Sequence, residues 1–275
     1  MDPTLKLIFL TIFFIGMALV ILSRFYVFFE QRYALRSSKP FFRDFVLRRQ
    51  DVTKDQESIL RREFTFYNKL DQRNKVIFKH RLARFIQRKT FIGRDGIEVT
   101  EDMRTLISAT AVMLTFGFRN YTLDLFDKIV IYPQPYFSKV NETYHKGEAN
   151  PMLRTIVLSW EDFERGYHIG DDNLNLGIHE FGHALHLNAF QAGDVSSIIF
   201  NHGFNKLMNY LQHNSNVRQE LIASKYFRAY AYTNHYEFFA VLLENFIETP
   251  LEFKSQFPEL YHHMQIMLNF KFAGY

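Results

Sequence analysis

Residues 7 to 23, LIFLTIFFIGMALVILS, run for 17 positions without a charge and continue through FYVFF after Arg24. Such a segment has few structural options, because in lipid its backbone N–H and C=O groups must be satisfied within the segment, which a helix achieves. At about 1.5 Å per residue the run spans a hydrocarbon core of roughly 30 Å when Lys6 and Arg24 reach outward to the headgroups. Only Lys6 precedes it and no small-x-small cleavage site follows, so an uncleaved transmembrane helix over residues 5–29 is expected rather than a signal peptide. Arg24, Arg32, Arg36, Lys39 and Arg43 stand behind the span against Lys6 in front. That bias puts the remainder of the chain in the cytoplasm, as a single-pass membrane protein.

Charge is unevenly shared along the chain. Residues 24–94 carry 19 Lys and Arg against 7 Asp and Glu, a net +12 in a chain whose total is +4, so the remainder is near −8. A basic flank next to an apolar span favours contact with lipid headgroups, and no nucleic-acid motif accompanies it, so a nucleic-acid partner is not expected. Residues 30–54 read as a basic juxtamembrane linker, and 55–275 as one catalytic-sized domain whose core the 47% hydrophobic content can fill.

From Asp55 to Gln87 apolar positions recur at three- and four-residue steps, predicting helix; FIGRDG breaks it, and Thr100 caps a second, more apolar helix. KIVIYPQPY and RTIVLSW predict short strands separated by a polar loop over 139–151, and further helices follow near 176, 196, 217 and 234.

Residues 176–188, LGIHEFGHALHLN, place two histidines four apart, on one face of a helix, where both imidazoles can meet one ion. There is no cysteine, so any metal is held by His, Asp or Glu. Glu180 sits beside the pair, able to reach a water at the metal, and Gly182 leaves room for close approach. The H-E-x-x-H-x-x-G-x-x-H arrangement is not available, because position 186 is His and position 189 is Ala. The third ligand must come from elsewhere. In YAYTNHYEFFAVLLENFIETP, Glu237 and Glu244 are carboxylates on a strongly apolar helix, where a dication would remove the cost of burial. Glu244 is also readable as a partner of a ligating histidine or as an exposed helix residue.

HEFGH followed by YAYTNHYEFFAVLLENF resembles the Mlc titration factor A family of zinc peptidases and, more distantly, lethal-factor-type toxin peptidases. FIGRDGIEVTEDMRTLISATAVMLTFG, IVIYP and VLSWEDFERG resemble that family's upstream blocks in the same order, so the likeness covers roughly residues 64–257 and leaves out the apolar run and the basic linker. The resemblance implies an α+β, mainly helical, zincin-like metallopeptidase domain with a small sheet. It implies His179, His183 and Glu237 as Zn2+ ligands in a gluzincin-type site, Glu180 as general base, and Tyr230 as donor to the oxyanion. Tyr232 and Tyr236 are nearby alternatives to Tyr230. RTIVLSW is expected to be the sheet edge that receives a substrate backbone. His186, His202 and His235 are not needed for the site; Asp171 and Asp172 are candidates to cap the metal helix.

Two functions follow from these expectations. One is a membrane-anchored zinc peptidase acting on a peptide or protein substrate. The other is a regulatory binding protein that sequesters a transcriptional repressor or other partner, since the family is named for titrating one; Glu180 between two ligands favours catalysis.

Overall fold

Asp2 opens the first helix: its carboxylate accepts the Thr4 N–H at 3.1 Å, and Pro3 occupies a first-turn position whose N–H would have no partner. The computed structural model describes residues 2–44, 46, 48–138 and 142–275. Helix α1 (Pro3–Ser37) is long and apolar enough to cross a membrane, and its apolar side chains from Leu5 to Phe29 are exposed. It continues beyond residue 29, so the segment expected as a linker begins as helix. Those last turns dock. Ala34 packs with Val195 and Ile199, and the Glu30 carboxylate, 3% exposed, accepts two bonds from the Arg119 guanidinium at 2.5 and 2.9 Å.

The single helical stretch expected over 55–87 is three helices: α2 (Lys54–Glu63), α3 (Thr65–Lys69) and α4 (Gln72–Arg88). Reciprocal bonds between Thr53 and Gln56 start α2, and Asp71 accepts the Asn74 N–H to start α4. FIGRDG is more than a breaker, since β1 (Thr90–Gly93) occupies its start and pairs in parallel with β2 (Lys128–Tyr132). The crossover between them is α5 (Glu101–Leu114), capped by Thr100 as its sequence predicts and buried along nearly its whole length. The turn that follows α5 is held by Arg81, whose fully buried guanidinium donates to Thr115 O, Phe116 O and Phe118 O and to Asp44 at 2.9 Å.

KIVIYPQPY, expected as one strand, ends as β2 at Tyr132 and is followed by β3 (Tyr136–Ser138), and the expected polar loop over 139–151 holds two more short strands, β4 (Thr143–His145) and β5 (Gly147–Asn150). β3 and β4 form an antiparallel pair; β5 joins β6 (Thr155–Ser159) in a sheet of order β1-β2-β6-β5, parallel except for β5. RTIVLSW therefore is not the edge. β6 is hydrogen-bonded on both sides, and among the described residues the strand left with a free side, next to the helix that carries His179 and His183, is β5.

Helices then close the domain: α6 (Trp160–His168), α7 (Leu176–Gln191), α8 (Val195–His213), α9 (Ser215–Ser224), a 3-10 turn (Ala229–Tyr232), α10 (His235–Glu248), α11 (Pro250–Gln256) and α12 (Pro258–Met267). α7 lies between the sheet and α10, and its Phe181, Ala184 and Leu185 are buried in the main core. Burying a side chain of the size of Phe181 or Leu185 contributes about 1.5–3 kcal/mol. The architecture is α+β, mainly helical, with a small sheet and a long apolar N-terminal helix.

Candidate metal centre

Asn175 begins α7: its side-chain oxygen accepts the Ile178 N–H at 3.0 Å, and its amide donates to Gly166 O and to Glu248 on α10. Asp171 and Asp172 do not cap this helix; Asp172 instead accepts the Leu174 N–H in the preceding turn. The four-residue interval then brings His179 Nε2 and His183 Nε2 to 3.1 Å. α10 can lie close against this stretch because position 182 is glycine: a Cβ there would stand 3.2 Å from Leu243 Cδ2 and 3.5 Å from Ala240 Cα. On α10, Asn234 accepts the N–H groups of Tyr236 and Glu237 and fixes the first turn, so that Glu237 points back at α7.

The Glu237 carboxylate completes a triangle. Its Oε2 is 3.1 Å from His179 Nε2 and 3.4 Å from His183 Nε2, and the three donor atoms lie within 4.8 Å of one another. Oε2 is buried without a hydrogen-bond partner among the described residues. Three lone-pair-bearing atoms converging on one point, one of them a buried carboxylate oxygen, are a group that could hold a cation, and two His with one Glu suit zinc.

Glu244, one of the two candidate carboxylates, stands behind this triangle. Only 1% exposed, it presents Oε1 at 3.3 Å to His179 Nδ1, while Arg228 approaches its other oxygen at 2.8 Å. Arg228 Nη2 also stands 3.2 Å from His179 Nδ1, so Glu244 and Arg228 together hold the ring from behind. Burial lowers the His179 imidazole's affinity for a proton, but the carboxylates of Glu237 and Glu244 outweigh it and set the pKa at about 9. The same imidazoles outweigh burial at Glu237 and hold its carboxyl well below the usual range. The two shifts are reciprocal: the carboxylates favour a proton on His179, and the imidazoles keep Glu237 ionised.

Glu180, the next residue along α7, lies beside the triangle and against β5. Burial pushes its carboxyl up, as suits a group that must accept and release a proton. Gly147 of β5 makes room for it: a Cβ there would fall 2.5 Å from Glu180 Cγ and 2.7 Å from Oε1. Tyr230, on the 3-10 turn, has its ring centroid 6.1 Å from that of His179, and burial followed by the Glu237 charge pushes its phenol to about 12. Half exposed, it lines a cleft of about 410 Å³ together with His179, Glu180, Gly147, Lys146 and Arg228. The alternatives point elsewhere. The Tyr232 hydroxyl donates to Leu221 O, and Tyr236 packs on His186 with ring centroids 4.7 Å apart. His186 itself is buried among Phe200, Phe204 and Phe239, and burial lowers its pKa to about 4. His202 on α8 and His235 at the start of α10 are not in the triangle.

Sequence reasoning passed over Arg228, Gly147 and Glu248. Arg228 had a signal, an arginine two residues before Tyr230; the other two depend on which strand and which helix end they meet.

Residues 34–268 match the family described as glucose-regulated metallo-peptidase M90. An uncharacterized protein of Synechocystis sp. is 24% identical over 227 residues, covering 74% of this chain and 80% of the relative. Mlc titration factor A of Serratia proteamaculans is 26% identical over 211 residues, 70% of this chain and 79% of the relative. Mlc titration factor A of Yersinia pestis is 26% identical over 200 residues, 66% and 72%. The mainly helical domain with its small sheet is zincin-like.

Proposed function

The chain belongs to the glucose-regulated metallo-peptidase M90 family, and from that premise we propose that it is a membrane-anchored zinc peptidase whose domain works on the cytoplasmic side. The observation that carries this reading is the convergence of His179 Nε2, His183 Nε2 and the orphaned Glu237 Oε2 on one point beside Glu180. Zinc, when bound by these three groups, supplies a Lewis acid that polarises a carbonyl and lowers the pKa of a water toward about 7.

The chain's own groups do the rest. A substrate segment pairs with the free side of β5 and runs through the cleft, which holds the scissile carbonyl over α7. Glu180 takes a proton from the attacking water at its carboxylate and returns it to the departing amine nitrogen, a transfer that its raised pKa favours. The Tyr230 hydroxyl, still protonated at neutral pH, donates to the oxygen that gains charge as the carbonyl carbon is attacked. Glu244 and Arg228 keep the His179 ring in register.

The test is metal analysis and peptide turnover on the purified full chain. Zinc is expected in the wild type and absent from His183→Ala; Glu180→Gln should keep zinc and lose about 10²–10⁴-fold in turnover, and Tyr230→Phe up to about 10²–10³-fold. Full zinc retention in His183→Ala sinks the ligand assignment. A second reading, in which the chain titrates a regulatory protein, is supported by the name of its Serratia and Yersinia relatives. That reading wins if Glu180→Gln stops cleavage but leaves the cellular effect of the protein intact.

A further inference from the structure

Where α1 leaves its apolar run, a hollow of about 440 Å³ opens between that helix, α4 and the loop after α5. Tyr26 and Phe42 line one side and Arg84 and Arg88 of α4 another. A neighbouring hollow of about 320 Å³ shares Val46, His80, Arg84 and Arg88 and adds Arg48. Most of the arginines here are spoken for: Arg43 and Arg81 share Asp44, Arg119 takes Glu30, and Arg88 meets Asp124 at 3.1 Å. Two are not. Half-buried Arg84 and exposed Arg48 pair with no carboxylate among the described residues. His80 accepts the Gln50 N–H at Nδ1, 2.9 Å away, which leaves its Nε2 to donate.

A half-buried guanidinium without a counter-charge is costly, and planar N–H forks beside an imidazole donor suit a ligand with several charged oxygens. The position of the hollow narrows the choice of ligand. Tyr26 lies three residues past Ser23, the end of the uncharged run, or about 4.5 Å along the helix axis. With the run in a bilayer, the hollow opens at headgroup depth.

We infer that this hollow binds the phosphate of an anionic phospholipid headgroup, held by Arg84 and Arg48 with Arg88 and His80 alongside, its acyl chains returning along α1 past Tyr26. The inference rests on the membrane-anchored reading. An anionic headgroup is selected because a zwitterionic one would bring an ammonium against the same arginines, and the cytoplasmic leaflet is rich in anionic lipid.

The test uses the full chain in a non-ionic detergent, with the unfolding midpoint followed during titration with short-chain phosphatidylglycerol, short-chain phosphatidylcholine or inorganic phosphate. Phosphatidylglycerol should raise the midpoint, while phosphatidylcholine and phosphate at equal concentration should not. Arg84→Gln should weaken the phosphatidylglycerol response at least about 10-fold in apparent Kd, the loss of one charge-assisted contact, with the ligand-free midpoint unchanged. Arg48→Gln, at an exposed and unpaired position, should weaken it less and guards against a folding defect at residue 84. An equal response to phosphatidylcholine or to phosphate overturns the lipid assignment, as does an unaltered response in both variants. Binding in detergent does not need the span to sit in a bilayer, so failure of the anchoring reading shows separately, as release of the chain from vesicles by alkaline carbonate.

Discussion

Glu244 presses its carboxylate onto His179 Nδ1 from inside the core, and that contact makes a prediction separable from ligation itself. Glu244→Gln keeps the shape and loses the charge, so the variant should still bind zinc at saturation but with about 10–100-fold lower affinity, read by competition with a chelating dye. Unchanged affinity would reduce Glu244 to packing. Glu248, which meets the Asn175 cap of the metal helix at 2.9 Å, supplies a pH dependence. Burial raises its carboxyl from 4.5 to about 7. The folded state therefore binds this proton more tightly than the unfolded one, and stability falls as pH rises from about 4.5 to about 7, then levels off. Glu248→Gln should be the more stable protein at pH 8, by at most roughly 3 kcal/mol, and the two should converge near pH 4.5 in urea unfolding. A gap of the same size at both pH values would contradict the assignment.

At the scale of elements, the contact between β5 and α7 sets where Glu180 can be. Gly147→Ala places a methyl against Glu180 Cγ while touching no ligand, so zinc content should hold and turnover should drop. Turnover equal to wild type would show that Glu180 relaxes freely. This contact was illegible in the sequence for a physical reason. GEAN has no β-branched or aromatic residue and only four positions, so nothing local marks β5 as a strand; its pairing with β6 does. By contrast α7 and α10 were legible, because histidines at a four-residue interval and a carboxylate in an apolar run are unusual on their own terms. The helical run over 55–87 was read correctly in period but not in its breaks at Phe64 and Leu70, and the extension of α1 to Ser37 was hidden because Glu30 and Arg32 end the apolar pattern without ending the helix. The burial of Arg81 had no signal either, since nothing in its sequence neighbours reveals that three carbonyls and Asp44 surround it.

For the whole molecule, the basic bias behind the span predicts that protease added outside intact cells spares the domain; digestion of the domain under those conditions would reverse the orientation. The continuity of α1 adds something that orientation alone does not. The helix passes without a break from its apolar run into the turns that Glu30 and Ala34 lock to the domain. It is an axle, not a tether. Side chains are apolar all around the run from Leu7 to Leu22 apart from Thr11 and small residues, so a surrounding bilayer would offer little resistance to spinning about the axis. With the run in a bilayer as proposed, the domain would turn with the helix, and the cleft beside β5 would sweep a ring above the membrane, meeting whatever chain segments stand at that level.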